Sequence, residues 1–552
     1  MFGPTIDSIQ HELLPSLSGG ALEPDREALV RSAVGRLLMQ FGDYDAGLVQ
    51  LERAVDQLPA RSVPRAASLL WLGWPYGSPH PVSWHLDQVR RAVAAIPDDL
   101  APADRLMLDR LHVTRLLFLG DDEGWAMVDR IPDRADDQDV ALQAVLGHAD
   151  LAYAALLWGR YQQADEHVRV TEQLSERWYF EGFTDAVQST RVHLDWYVGR
   201  WQGLAERAQA LTTTGHDRFA RLESLLVTSR LSTACGLPER AGTDPELLLA
   251  EVMPHEAPEL LAQAATEAGQ RRLGRGDPLG AAEVTDDPTA EVLASRSWLS
   301  AMEIVPGRIE ALVAAGRRGE AAALLDDFEG LVAGRDHERP AAALALCRGL
   351  ILEQGDPEGA AAELGAAADA LTRLPRPYDA ALVRIRRAEC LLRAGCREQA
   401  VSDLRTSRGA LADLQAWPHV ARVEARLGSL GVRGSGGTSG RRAYGDELSP
   451  RERDVVRLVA EGRTNRQIAQ DLVLSSKTVA NHVATARRKL RAPSRTALAV
   501  VAIAAGGHRA PDRAAARLVG HFARLPGSAT GRDGEPCSPP PIGPGPPMPW
   551  RP

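Results

Sequence analysis

At 552 residues the chain is too long for one compact core, so its length predicts several domains or a repeat array whose core grows along one axis. An apolar share of 44% and a charged share of 25% are ordinary for a soluble globular protein. The net charge of −9 is unevenly divided: residues 441–508 carry 13 Arg and Lys against 6 Asp and Glu, residues 509–552 carry 6 against 3, and residues 1–440 are left with −19.

From the N-terminus, residues 1–17 include Asp7 and Glu12 and lack a basic n-region, which argues against a signal peptide. No run approaches the roughly 20 apolar residues of a membrane-spanning helix, residues 497–505 being the best candidate. A cytoplasmic protein without membrane contact is expected. The five cysteines, Cys235, Cys347, Cys390, Cys396 and Cys537, are odd in number and lack C-x-x-C spacing, which argues against a disulfide framework or zinc site and leaves them as small buried hydrophobes or bystanders.

A turn recurs along residues 1–430. Its clearest copies are Gly159-Arg-Tyr-Gln-Gln-Ala164, Gly316-Arg-Arg-Gly-Glu-Ala321, Gly355-Asp-Pro-Glu-Gly-Ala360 and Gly395-Cys-Arg-Glu-Gln-Ala400, each between apolar helical patterns. Looser copies start at Gly42, Gly77, Gly120, Gly199, Gly236 and Gly276, and successive starts lie 35 to 43 residues apart, mostly near 40. Such a unit predicts a helix ending in a glycine of positive φ, a short polar turn, and a second helix opening with a small residue that permits close approach. One hairpin cannot bury its apolar face alone. A stack can, which makes a solenoid with a concave surface. The aromatics Tyr44, Tyr161 and Trp201 are expected to pack within these turns.

After residue 430 the pattern stops in Gly431-Val-Arg-Gly-Ser-Gly-Gly-Thr-Ser-Gly440, and residues 431–446 are expected to be a flexible linker. Residues 447–507 then predict four short helices. Ser449-Pro450-Arg451-Glu452 is a capping box opening a helix through Val455, Val456, Leu458 and Val459 that stops at Gly462. A second capping box, Thr464-Asn-Arg-Gln467, opens a helix that buries Ile468, Ala469 and Leu472, and a brief turn leads to a helix over residues 476–490. Ser494 caps the last helix. Residues 508–552, with Pro539-Pro-Pro541 and Pro544-Gly-Pro-Pro-Met-Pro549, are expected to be a disordered proline-rich tail.

Two short helices joined by a tight turn, the second basic, form the arrangement that lays a recognition helix in the major groove of double-stranded DNA. Val479, Val483, Ala486 and Leu490 supply the inward stripe of residues 476–490. Lys477, Thr478, Ala480, Asn481, His482, Ala484, Thr485, Arg487, Arg488 and Lys489 are left facing DNA or solvent. Lys, Arg, Thr and His at such positions suit phosphates and set register, whereas the Asn481 amide can read a base edge. The basic balance of residues 441–508 is the footprint that phosphate neutralisation requires.

The runs Leu448-Ser-Pro-Arg-Glu-Arg453, Val459-Ala-Glu-Gly462, Thr464-Asn-Arg-Gln-Ile-Ala469, Thr478-Val-Ala-Asn-His-Val483 and Arg488-Lys-Leu490 resemble the LuxR-type DNA-binding domain. The turn of the arm resembles the Gly-Asp-Tyr-x-x-Ala turn of tetratricopeptide repeats, with a longer period. The resemblance implies an all-α protein: a tetratricopeptide-like helical solenoid followed by a four-helix LuxR-type helix-turn-helix domain. It also implies a homodimer on DNA through the last helix. Base-contact positions would fall on Ala480, Asn481 and Ala484, where relatives often place lysine at the first and third. Thr464 and Asn465, at the start of the first helix of the pair, complete the DNA-binding candidates.

The whole order of parts also resembles the large LuxR regulators similar to the maltose activator, without their ATPase module. No G-x-x-x-x-G-K-[ST] loop occurs and no lysine precedes Lys477, so no nucleotide cofactor is expected. The implied protein is a transcription regulator, not an enzyme. Its arm would take a protein or small effector, and RNA polymerase would be a partner if it activates. Two rivals stay open: an interaction scaffold with a relic C-terminal domain, and an enzyme, for which no catalytic constellation is found.

Overall fold

The structure, a computed structural model, describes residues 23–40, 43–180, 184–214, 218–237, 244–252, 258–432, 448, 450–472, 474–490, 492 and 494–504. Among them the fold is all α, with 25 α-helices, one 3-10 helix at Asp122–Arg130 and no strand. The chain divides into two compact units, residues 1–434 and 435–552. Apart from Gly431 and Val432, the expected linker, the Ser449 cap and the proline-rich tail lie outside the described residues.

In the first unit consecutive helices pack as tetratricopeptide-like hairpins. Nine of the ten glycines singled out by the repeat are described, and eight of them, from Gly77 to Gly395, hold φ between +64° and +80°. Gly355 does not. There the Asp356 carboxylate accepts a hydrogen bond from the Gly359 N–H at 2.9 Å and Pro357 starts the next helix, so a side-chain cap closes the turn. The small residues that follow, Ala164, Ala321, Ala360 and Ala400, are fully buried, and each lets its helix approach the preceding one. Within the turns Tyr161 stacks on Tyr197 with ring centroids 5.6 Å apart, and Trp201 lies parallel to Trp196 at 4.6 Å.

The repeat period alone predicts contacts between neighbouring hairpins and an open concave face; the structure brings distant hairpins together as well. Gly120 meets Trp298, Gly159 meets Arg339, Gly199 meets Pro377 and Gly236 meets Pro418, each pair 178 to 182 residues apart. The first of these junctions shows why a glycine is required. Trp298, at the start of the helix Trp298–Ala314, is 1% exposed, and its indole N–H donates to the Gly120 carbonyl at 3.0 Å. A Cβ on Gly120 would lie 2.0 Å from that indole nitrogen, and φ is +74°. Arg335 donates to the same carbonyl at 2.7 Å with its guanidinium over the Trp298 ring, and Trp158 meets that ring edge-on at 5.0 Å.

Polar groups cluster where the two halves of the arm face each other. Glu223 accepts from Ser189 Oγ at 2.8 Å and meets His193 Nδ1 at 3.3 Å; Arg230 donates to Glu267 and Gln263; Arg339 pairs with Glu303. All these groups except Glu267 and Glu303, which are half-buried, are buried. Paired in this way, they meet the demand that charge removed from water find partners.

Among the described residues the most apolar long helix is Gln138–Trp158, which replaces residues 497–505 as the nearest approach to membrane-spanning length. Sixty-seven per cent of its most apolar window is buried within the arm, where it packs as a core helix. Its sequence alternates small and large apolar residues with Asp139, His148 and Asp150 between them, which hides the run from a search for unbroken apolar stretches.

The second unit is a small bundle of four helices, Pro450–Ala460, Asn465–Asp471, Ser476–Lys489 and Arg495–Ala504. Twelve buried residues, among them Val455, Val459, Ile468, Val479, Val483 and Leu498, form its core and draw on all four.

Candidate nucleic-acid interface

The helix pair is fixed by local hydrogen bonds. Pro450–Ala460 ends at Gly462, whose φ of +80° turns the chain while the Arg463 N–H donates back to the Leu458 carbonyl at 3.1 Å. Thr464 then caps Asn465–Asp471 reciprocally: its Oγ1 accepts from the Gln467 N–H, and Gln467 Oε1 accepts from the Thr464 N–H at 2.9 Å. The connecting turn is closed by the Leu474 N–H donating to the Ala469 carbonyl at 2.8 Å. Ser475 caps Ser476–Lys489 by accepting from the Thr478 N–H at 3.0 Å.

Ser476–Lys489 buries Val479, Val483 and Ala486, which forces the opposite side outward. Lys477, Ala480, Asn481, Ala484 and Arg488 are exposed there, at the 3, 4, 7 and 11 spacing of one helical stripe. Thr478, His482 and Arg487 are half-buried at its margins, and Thr464 is exposed at the start of the preceding helix. The stripe therefore carries one amide, two cations and two small side chains. Backbone N–H groups at Ser476 and Lys477 add the positive end of the helix dipole.

Beyond the Thr464 cap and the bond between the Thr478 and Ser475 hydroxyls, three more candidates are engaged within the domain: Arg487 Nε donates to the Ala492 carbonyl at 3.3 Å, and Lys489 and Asn465 are held as follows. Lys489, expected to face DNA or solvent, turns inward: its Nζ lies 2.8 Å from Glu452 Oε2, and the two side chains are 14% and 8% exposed. Its position at the end of the helix, three residues past Ala486, puts it beside the first helix, where the buried Glu452 needs a counter-charge. Asn465 accepts through Oδ1 from Arg495 Nη1 at 2.7 Å, which leaves its amide N–H groups for other partners.

Sequence reasoning missed two arginines that hold the pair in place. Arg451 Nη2 donates to the Leu472 carbonyl at 2.6 Å, closing the C-terminal end of the first helix of the pair. Arg495 bridges the last helix to Asn465 and the Arg463 carbonyl. Neither had a local signal, since both bonds join residues 21 to 32 positions apart. Arg466, exposed beside Asn465, was likewise outside the candidates, and the basic balance of the segment was its only signal.

Residues 446–502 match the family described as bacterial regulatory proteins, luxR family. They are a LuxR-type helix-turn-helix domain. Several similar proteins are named as transcriptional regulators. A protein of Mycobacterium tuberculosis named as an HTH-type transcriptional regulator is 30% identical over 236 residues, 42% of this chain and 24% of that protein. The spore germination protein GerE of Bacillus subtilis is 41% identical over 49 residues, 9% of this chain and 66% of that protein. The chain spans about a quarter of the length of the first of these relatives. Among solved structures, a Rap protein complexed with competence and sporulation factor is similar at 12% identity and a TM-score of 0.46, covering 67% of this chain and 99% of that one.

Proposed function

We propose that this chain regulates transcription by binding double-stranded DNA with Ser476–Lys489 in the major groove. The observation that carries the reading is the exposed stripe Lys477, Ala480, Asn481, Ala484 and Arg488 opposite the buried Val479, Val483 and Ala486. Asn481 has the geometry class to read a base edge bidentately, while Thr464, Lys477, Thr478, His482, Arg487 and Arg488 contact phosphates and set register. Lys489 contributes through the domain's interior. Alanine at positions 480 and 484 allows close approach of the helix backbone to the groove floor and leaves specificity concentrated on Asn481.

The arm, net −19 over residues 1–440 against +7 over residues 441–508, is the regulatory input in this reading. An acidic body is repelled by DNA, so it controls how two DNA-binding domains of a homodimer are presented without touching DNA itself. Effector or partner binding to the arm shifts that presentation, and RNA polymerase is the further partner of an activator.

The test is a mobility-shift titration on duplex DNA with the full chain and with residues 435–552. Both bind, with affinity falling steeply as salt rises, and the shorter chain binds nonspecific DNA more tightly at low salt. Absence of binding by both folded chains overturns the DNA reading. Equal affinities at the same oligomeric state overturn control by the arm alone.

A further inference from the structure

In the arm, the helices Thr184–Tyr197, Arg218–Cys235, Pro258–Gly274, Trp298–Ala314, Glu338–Leu352, Pro377–Arg393 and Trp417–Ser429 line a half-open cavity of about 1020 Å³. That is the size class of sites that bury a small organic molecule. Its wall is two-natured. Leu346, Leu350, Leu374 and Val383 supply an apolar stretch, whereas eight arginines and five carboxylates also line it. An excess of arginine inside an arm whose net charge is −19 is a local reversal of sign.

Most of those arginines are neutralised by a neighbour, such as Arg426 by Glu389 and Arg230 by Glu267. Three are not fully so. Arg275 is exposed to water and makes no ion pair among the described residues. Arg339, whose side chain is 5% exposed, is held by Glu303 through Nη2, but its Nη1 is buried without a hydrogen-bond partner. A buried guanidinium N–H left unpaired is costly, and a native fold keeps one where something else fills the place. Arg422, exposed at the mouth of the cavity, has among the described residues only His419 as a hydrogen-bond partner, donating to Nδ1 at 2.7 Å. With Nδ1 accepting, the ring carries its proton on Nε2 and donates it to Tyr378 Oη at 3.0 Å, so the imidazole is neutral and leaves the Arg422 charge uncompensated. Burial, and then Arg422 itself, push the His419 pKa down to about 4, in keeping with that tautomer.

We propose that this cavity is a ligand site for a small organic anion with an apolar body, its carboxylate or phosphate head received by Arg339 and Arg422 and its chain laid against Leu346, Leu350, Leu374 and Val383. The site deepens the reading of the arm as the regulatory input and gives that input a chemistry. Arg339 Nη1 and the two donors of a forked guanidinium suit a planar or tetrahedral oxyanion better than a neutral polar group.

The test uses the full chain without DNA, by calorimetric titration and thermal unfolding, with octanoate, octyl phosphate, octanol and inorganic phosphate as probes. Octanoate or octyl phosphate binds saturably and raises Tm, and which of the two binds more tightly identifies the head group. Octanol and inorganic phosphate, each lacking half the ligand, bind at least tenfold more weakly. Arg339→Lys keeps the ion pair with Glu303 and loses at least tenfold in affinity, and Arg422→Gln, at an exposed position, loses less. Ala343→Leu, which narrows the cavity, weakens binding of the octyl chain. The proposal is overturned if neither anion binds the folded chain, if octanol binds as well as octanoate, or if Arg339→Lys and Ala343→Leu both bind like the parent protein. DNA affinity measured with bound octanoate separates the two readings: binding abolished by Arg339→Lys but without effect on DNA leaves the site standing and removes control by the arm.

Discussion

The Lys489 ammonium lies 2.8 Å from Glu452 Oε2 inside the C-terminal bundle, joining the end of Ser476–Lys489 to the first turn of Pro450–Ala460. A buried pair gains little over well-packed apolar residues, but removing one partner strands the other charge, at a cost of about 3–5 kcal/mol. In a bundle with twelve core residues that is a large part of the total. Glu452→Gln and Lys489→Met each lower the denaturant midpoint of residues 435–552, and the double change Glu452→Leu with Lys489→Met recovers most of the loss. An additive double change would show that the two charges do not depend on each other.

The same pair separates two neighbouring cations in their action on DNA. Arg488→Gln lowers affinity for all sequences and reduces the slope of log Kd against log salt by about 1, as loss of one phosphate contact does. Lys489→Gln, measured where the domain is folded, leaves the slope unchanged. A slope change at position 489 equal to that at 488 would place its ammonium at the DNA.

Asn481→Ala should act differently from either. With no other long polar side chain in the central stripe, it removes about 1–3 kcal/mol of discrimination at one base pair and leaves nonspecific affinity nearly intact. Binding-site selection on randomised duplexes reads this out, and an unchanged preference would move recognition to DNA shape or to another side chain.

Gly120 and Trp298 test the closure of the arm. Trp298→Ala empties a fully buried site and costs about 3–5 kcal/mol. Gly120→Ala forces a Cβ into the indole at a positive φ, so it destabilises by at least about 1 kcal/mol. In the full chain both lower the midpoint of the transition that unfolds the arm and leave the transition of the C-terminal bundle where it was. If either substitution is silent, the halves of the arm do not lean on this junction.

Glu259 gives the arm a pH dependence. Burial is the main cause that raises its pKa from 4.5 to about 7, against weaker opposition from hydrogen bonds that include one from Ser300. The folded state therefore keeps this proton up to about pH 7, whereas the unfolded chain gives it up near 4.5. The stabilisation it confers is whole below pH 4.5 and is lost as pH rises through 7. Glu259→Gln removes that slope and leaves the arm more stable than the parent above pH 7, by on the order of 3 kcal/mol. Parallel stability curves for the two proteins between pH 5 and 8 would contradict it.

How much of this was legible in sequence depends on the range of the interaction. The glycine turns, the Thr464 capping box, the Ser494 cap and the inward stripe at Val479, Val483 and Ala486 are set by residues within a few positions of one another. Each can be read from spacing. Lys489 turns inward because of Glu452, 37 residues earlier, and Asn465 is held by Arg495, 30 residues later. No periodicity reports such pairs. The arm shows the same division: the period near 40 reveals the hairpins, but nothing local says that Gly120 must fit Trp298 or that Arg339 lines a cavity.

Contacts spaced by 178 to 182 residues also set the order in which the arm can finish folding. A solenoid with nearest-neighbour contacts alone would complete itself behind the ribosome, one hairpin at a time. Here the Gly120 carbonyl waits for an indole made 178 residues later. At the usual synthesis rates of roughly 5–20 residues per second, that delay is about ten to forty seconds. For that interval the first half of the arm displays the surface that the second half will cover, so the nascent chain is a natural client of chaperones, and a break in translation between the two halves leaves a fragment prone to aggregate.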